Sequence, residues 1–421
     1  MLWVDLILAA ALRYLLMLTT SHSSESVQIV GASSSYRRVV EAMYLHSQNR
    51  SIYDGDIFHQ PPLLFAFLSF LNDVGSIHLI HFFFICIDLF IAAMLRNVTM
   101  RSRDMGFPFP NSEICIHKQA NLHDIVFRMF LFNPLTLLSC ASLSTVSLSQ
   151  VFVIFALYST YNGHILSLAF SFATSVYLEL YNAILLVPIL IVLHFKQLDL
   201  SSAAKRDAPL NAVPFSLTAK MLMFISLSIG FLASLIALSS HYFGSSRWWS
   251  FSYRYLYFVH DLTPNIGIFW YFVTEMFHRF RSFFLICFNS QVFVYVIPLT
   301  IRFWHNPLFL FFIFMHLIMM FRPYPVVGDF GIVYCLLLTQ YDILKEMRNL
   351  MPVYVALIVS FTMSAVMWTM WIDLGCGNAN FYYVMGLVCA FSNGFILIEA
   401  ISAVRQLYAS VDEGKKIISE R

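Results

Sequence analysis

Runs of apolar residues follow one another along this chain with only short polar breaks, a rhythm that predicts membrane helices from one end to the other. A helix needs about 20 apolar residues to cross a bilayer, fewer where neighbouring helices shelter it. By that rule the spans lie near 3–20, 76–95, 124–140, 146–161, 163–178, 179–196, 220–241, 282–302, 307–321, 330–345, 350–371 and 382–404. The expected fold is all-α, a polytopic membrane protein of about twelve transmembrane helices in one domain covering 1–421. The first run could pass for a cleaved secretory signal, but it has no basic start and carries Arg13 inside its apolar stretch, so it reads as a retained helix. Two more apolar stretches, about 61–72 after Gln60-Pro61-Pro62 and about 266–280 after Pro264, look too short to span. Each fits either a re-entrant or interfacial helix lining a cavity or a kinked full span. The polar segment 199–216, with Pro209 and Pro214, reads as the best flexible linker.

Basic residues set the orientation. They collect at Arg96, Arg101, Arg103 and Lys118, at Lys196, Lys205, Arg206 and Lys220, at Lys345 and Arg348, and at Lys415, Lys416 and Arg421. Loops near 96–123 and 197–219 are therefore expected in the cytosol, and an even number of crossings puts both termini there too. The opposite, luminal face receives the loops near 21–60, 242–265, 322–329 and 372–381. Arg37, Arg38 and Arg50 in the first of these run against the rule, whose weight is diluted in longer loops.

Composition narrows the classes further. The 421 residues are 59% hydrophobic, 17% aromatic and only 11% charged, with a mean hydropathy of +0.73, far from a soluble domain. A formal net charge of +2, spread thinly, offers no nucleic-acid surface. The seven cysteines have no CxxC or Cys/His ligand spacing, so no metal and no cofactor is expected.

Charges inside apolar runs need partners, because an unpaired one in hydrocarbon costs at least ~2.5–3.5 kcal/mol. Arg13 and Asp88 sit at depths that differ by roughly 5 Å in the first two spans, a gap a long arginine side chain closes. An Arg13–Asp88 ion pair stapling the two helices is the expectation. His78 and His81 share a helix face but lack a third ligand at fitting spacing, which favours hydrogen-bonded packing over a metal. Asp54 and Asp56 flank Gly55 in the first luminal loop, where they fit either a metal or general-base pair or ordinary turn chemistry.

Three further features lie on the same face. Gly375-Cys376-Gly377-Asn378-Ala379-Asn380, followed by Phe381-Tyr382-Tyr383, offers close backbone approach and amide donors and acceptors suited to a sugar-bearing lipid head group. The same residues also fit a helix-joining turn with an aromatic belt behind it. Asp261, Thr263 and Asn265 around Pro264 either join that site or cap the following helix. Cys376 has no obvious base beside it and reads as a free thiol or turn residue. Of two glycosylation sequons, Asn49-Arg50-Ser51 and Asn97-Val98-Thr99, only Asn49 falls on the luminal side.

Asp261-Leu-Thr-Pro-Asn-Ile-Gly-Ile-Phe-Trp-Tyr-Phe272 with Glu275-Met276-Phe277 resembles the signature of the PIG-U family, the U subunits of glycosylphosphatidylinositol (GPI) transamidase. Further segments carry the likeness in order: Arg38-Val39-Val40-Glu41, Tyr53/Gly55/Phe58-His59/Pro62-Leu63, Phe132-Asn133-Pro134, Leu138-Ser139-Cys140, Tyr324-Pro325, Val327-Gly328-Asp329 and Gly377 to Phe381. The resemblance implies a multi-helix endoplasmic-reticulum subunit, similar in architecture to multi-span luminal glycosyltransferases. It also implies a complex that attaches the GPI anchor to the C-terminus of proproteins. Partners so implied are a PIG-K-like cysteine-peptidase subunit that performs the chemistry, PIG-T, PIG-S and a Gaa-type subunit. Under the resemblance this chain is non-catalytic and recognises or presents the GPI lipid, with Asn378 and Asn380 on the lipid-contacting loop and the site extended to Asp261, Asn265, Trp270 and Phe381. The alternative is a glycosyltransferase using a lipid-linked sugar, with Asp54 or Asp56 as base. Cys376 and the Asp54/Asp56 pair depart from the family pattern.

Overall fold

The computed structural model describes residues 2–19, 27–75, 77–105, 121–197, 218–259 and 263–419, and within them every regular element is a helix. In chain order these are α1 (Leu2–Thr19), α2 (Tyr36–Ser47), α3 (Pro62–Val74), α4 (Ile77–Asp104), α5 (Leu122–Phe132), α6 (Pro134–Ala141), α7 (Val146–Asn162), α8 (Ile165–Leu178) and α9 (Leu186–Gln197). There follow α10 (Ala219–Phe243), α11 (Tyr255–Phe258), α12 (Phe269–Glu275), α13 (His278–Val294), α14 (Val296–Phe303), α15 (Pro307–Phe321), α16 (Val327–Thr339), α17 (Tyr341–Glu346), α18 (Leu350–Trp368) and α19 (Ala379–Ser419). The linker expected at 199–216 lies outside the described residues.

Among the described residues six helices are long and apolar enough to cross a membrane, and a seventh crossing results if α5 and α6, bent by 44°, count as one. The expectation of twelve is not confirmed by that count. Other apolar segments form helices of 10–17 residues, among them α3, α8, α15 and α16. The 15 residues of α15 rise only about 22 Å, short of the ~30 Å hydrocarbon core. Hydropathy along the chain counts apolar residues and does not register the breaks between helices. A short helix is tolerated at membrane depth when protein surrounds it; Pro307 through Met319 of α15 are all buried.

The breaks have local causes. Two short helices begin Asn-Pro: Asn133 Oδ1 accepts the Leu135 N–H at 3.0 Å and Asn306 Oδ1 accepts the Phe309 N–H at 3.1 Å. Each asparagine thus caps a helix whose first residue is a proline, which has no N–H to satisfy. The missing N–H of Pro134 also leaves carbonyls at the end of α5 without helical donors. Thr136 Oγ1 donates to the Phe130 carbonyl at 2.7 Å, and Arg13 Nη1 donates to the Leu131 carbonyl at 2.8 Å. Close packing completes the joint, since a Cβ at Gly331 of α16 would lie 2.7 Å from Thr136 Cγ2.

Arg13 therefore serves partners on two other helices. Its Nε donates to Asp88 Oδ2 at 2.9 Å, with side chains 0% and 4% exposed, while Nη1 reaches the bent pair. One guanidinium ties α1, α4 and α5 together inside the bundle. Away from that joint, Arg96 meets Asp124 at 2.7 Å, tying α4 to α5 again.

Removing one member of a buried pair strands the other as an unpaired charge. Asp88→Ala is expected to destabilise the protein by about 3–5 kcal/mol, and Asp88→Ala with Arg13→Leu to recover part of that loss. Thermal unfolding in detergent checks this; a double variant no more stable than Asp88→Ala would show that pairing is not what Asp88 supplies.

Candidate functional site

At one end of the bundle, loop segments distant in sequence meet. Tyr53 stacks on Phe251 with ring centres 5.3 Å apart, and the His59 ring lies over Tyr255 at 3.2 Å. Gln60 Nε2 donates to the Ser33 carbonyl and to Thr145 Oγ1, both at 2.8 Å. Asn265 Nδ2 donates to the Pro323 carbonyl at 3.4 Å. Two sites result from this convergence, an aromatic platform and a cavity with several polar residues in its wall.

The platform forms where α18 turns into α19. α18 ends in a π-helical turn, Thr369–Asp373, and the chain doubles back so that the Cys376 and Gly377 N–H groups both donate to the Met370 carbonyl at 2.9 Å. Gly375 takes φ +64° to allow the reversal, and a Cβ at Gly377 would sit 3.1 Å from the Trp371 nitrogen. Asn378 Oδ1 then accepts the Phe381 N–H at 3.3 Å, capping α19.

Against this turn packs the segment leading into α12. Asn265 is buried and its Oδ1 accepts the Gly267 N–H at 2.7 Å, while Gly267 lies tight against Pro325. Trp270 is 3% exposed, its ring stacked on Trp371 at 6.2 Å and edge-on to Tyr383 at 6.0 Å. Tyr271 stacks on Tyr383 at 4.5 Å, and its hydroxyl donates to Asn380 Oδ1. With that oxygen engaged, the NH2 group of Asn380 is the end left to donate to a ligand. The indole N–H of Trp270 has no hydrogen-bond partner.

The fold thus brings Asn265, Trp270, Asn378, Asn380 and Phe381 to one place, with both Asn378 and Asn380 exposed and Phe381 57% exposed. Asp261 lies outside the described residues. Exposed Cys376 has its thiol 3.5 Å from the Met370 carbonyl. Sequence reasoning missed Tyr271, which orients Asn380, and Trp371, which backs Trp270. Tyr271 stood inside the signature segment, and an aromatic residue next to Trp270 was the available signal.

The cavity adjoins the platform through Pro323 and Tyr324. It opens about 760 Å³ of space, part of it continuous with solvent, and is lined by Ser34, His59, Gln60, Ser149, Glu179, Tyr181, Tyr253, Tyr257 and Arg322, among others. Arg322 donates to both carboxylate oxygens of Asp329 at 2.7 Å and lies 3.0 Å from Glu179 Oε1. Asp329 Oδ2 also accepts the Val326 N–H at 3.1 Å. With Nη1 facing both oxygens of Asp329 and Nη2 on Glu179, the arginine is held between two carboxylates by charge-assisted contacts. The triad joins the end of α8 to the turn between α15 and α16. Sequence reasoning missed it because Glu179 sat at the edge of an expected span.

Asp54 and Asp56 take a different place. Asp54 Oδ2 accepts the Ser51 N–H at 3.2 Å inside its own turn, and Asp56 has φ +50° and a side chain 78% exposed. Neither lines the cavity. His78 Nδ1 lies 3.2 Å from the Tyr14 hydroxyl. Among the described residues no three His, Cys, Asp or Glu side chains gather closely enough to hold a metal ion.

Comparison with known proteins gives one consistent result. The chain matches the family described as GPI transamidase subunit PIG-U over residues 7–389. It is 30% identical over 389 residues to the human GPI-anchor transamidase component PIGU, covering 89% of this chain and 86% of the human protein. It is 29% identical over 380 residues to the GPI transamidase component GAB1 of Saccharomyces cerevisiae, with the same two coverages.

His59 gives the loop cluster a pH signature. Burial lowers its pKa from the usual histidine value, partly offset by the Phe251 and Asp56 carbonyls at its two ring nitrogens. The folded protein then binds this proton less readily than the unfolded chain, so the contribution is fully present above about pH 6.5 and lost as pH falls below it. A thermal midpoint that declines on acidification below that value is expected, with a shallower decline in His59→Phe, which keeps the stacking on Tyr255. Identical pH profiles would contradict it.

Proposed function

Because this chain belongs to the PIG-U family of GPI transamidase subunits, we propose that it recognises the GPI lipid at the aromatic platform and presents it to a separate catalytic subunit. The observation that carries this reading is the pinning of Asn380 by Tyr271 on a wall of Trp270, Trp371 and Tyr383, with exposed Asn378 beside it. Amides held on a rigid surface lose little entropy on meeting sugar hydroxyls. Below them, Phe381, Val384, Phe391, Phe395 and Ile398 are exposed at spacings that share one face of α19. Acyl chains laid along that stripe would leave the head group at the two asparagines. Positioning the acceptor amine near a neighbouring active site raises its effective concentration and needs no catalytic residue here.

In this reading the chain is non-catalytic. The transfer belongs to a PIG-K-like subunit, held with PIG-T, PIG-S and a Gaa-type subunit in the endoplasmic-reticulum membrane. The platform and the cavity face the lumen, both termini lie in the cytosol, and the bundle is akin to multi-span luminal glycosyltransferases. Short helices gathered around one polar end support that likeness. A glycosyltransferase using Asp54 or Asp56 as base draws no support from an exposed turn outside the cavity.

Two measurements follow. Loss of two amide hydrogen bonds corresponds to about 1–3 kcal/mol, so Asn378→Ala/Asn380→Ala should lower GPI recovered with the intact complex by at least about fivefold and lower anchor attachment with it. Full retention of lipid and attachment would refute the site. Asn49, exposed just after α2, should carry an N-glycan removable by endoglycosidase, whereas Asn97 should not, since Thr99 of its sequon is wholly buried in α4. An unmodified Asn49 made accessible to cytosolic reagents would reverse the orientation.

A further inference from the structure

The cavity and an apolar groove share a wall. The groove runs between α3, α4, α7, α8 and α10, opens about 670 Å³ and is lined by Leu63, Phe67, Phe83, Phe152, Tyr177 and Leu235 among others. Leu64 and Leu178 line both spaces. A chamber with Ser34, His59, Gln60, Glu179 and Arg322 among its lining residues thus lies within two side chains of an apolar groove.

The chamber carries unmet hydrogen-bonding capacity. Ser34 and Gln60 both line it and are at least nine-tenths buried, and Ser34 Oγ and Gln60 Oε1 have no hydrogen-bond partner within the protein. The amide oxygen of Gln60 only accepts, so its partner must donate a proton. The charges point the same way. Arg322 is already engaged by Asp329 and Glu179, and the three together carry one more negative charge than positive. A phosphate brought here would meet two carboxylates and an arginine already paired with both; a hydroxyl would meet acceptors.

We propose that cavity and groove together bind a second lipid, distinct from the one presented at the platform: an uncharged lipid whose head group, no larger than one sugar, donates through hydroxyl groups. Its head sits against Ser34, Gln60 and Glu179, and its acyl chain passes Leu64 and Leu178 into the groove. Occupancy fills the void between α8, α11 and the α15–α16 turn.

The test uses the intact complex in phosphatidylcholine nanodiscs containing monoglucosyl diacylglycerol with a diazirine on its acyl chain, with labelled peptides mapped after irradiation. Labelling is expected in α3, α8 and α10. It should fall at least fivefold in Leu235→Trp, which fills the groove, and fall measurably in Ser34→Ala, which removes only the orphan hydroxyl. Unlabelled glucosyl lipid should compete and phosphatidic acid should not. GPI recovery with the Leu235→Trp complex should stay at the wild-type level, which separates this site from the platform. Groove labelling unchanged by Leu235→Trp, equal competition by phosphatidic acid, or no labelling of these helices would each overturn the proposal, the last leaving water as the chamber's only occupant.

Discussion

Every backbone polar group at membrane depth must find a partner within the protein, and the way this chain meets that demand at its broken helices shapes the rest of it. A continuous helix satisfies itself, but α5–α6 and the start of α15 are interrupted by prolines. Side chains take over at each interruption. Asn133 and Asn306 supply caps, Thr136 and Arg13 reach the carbonyls that Pro134 leaves open, and Asn306 Nδ2 continues to Gln340 Oε1 at 3.2 Å. Arg13 can do this only because Asp88 neutralises it. The ion pair is therefore as much a backbone-satisfying device as an electrostatic one.

Breaking helices shortens them, and short helices do not reach the same level at both ends. The shortfall gathers at one end of the bundle, where loops close over the ends of α8, α15 and the start of α16. Polar groups left there organise around Arg322, with Glu179 and Asp329 on either side, and around Asn289, which accepts from the Tyr181 hydroxyl at 2.9 Å and donates to the Tyr257 carbonyl at 2.6 Å. Asn265 joins this region to the platform, holding Pro323 with its amide nitrogen and Gly267 with its oxygen. A shift of the α15–α16 turn would thus be felt at Trp270, and a ligand on the platform would bear on the cavity wall.

What could be read from the sequence followed the strength of the physical penalty involved. Arg13 and Asp88 were legible because charge in hydrocarbon demands a partner and helical rise places the two at similar depth. Asn378, Asn380 and Trp270 stood out through motif resemblance, and the fold brings them together. The helix breaks were not legible, because an interruption at Asn133-Pro134 or Asn306-Pro307 changes helix length without changing hydropathy. Nor was the Arg322 triad. Glu179 lies far from Arg322 and Asp329 in sequence, and only the turn between α15 and α16 brings Arg322 to the end of α8. Asp54 and Asp56 drew notice as a chemical pair, yet a three-residue span around Gly55 is satisfied by the turn itself.

The central claim is that GPI meets this subunit at the platform. A photo-crosslinking amino acid placed at Phe381, beside the two asparagines, and separately at Phe283, an exposed position on α13, tests it in the assembled complex most directly. GPI adducts should form from position 381 and not from position 283. Adducts absent at 381, or equal at both positions, would mean the lipid is recognised elsewhere.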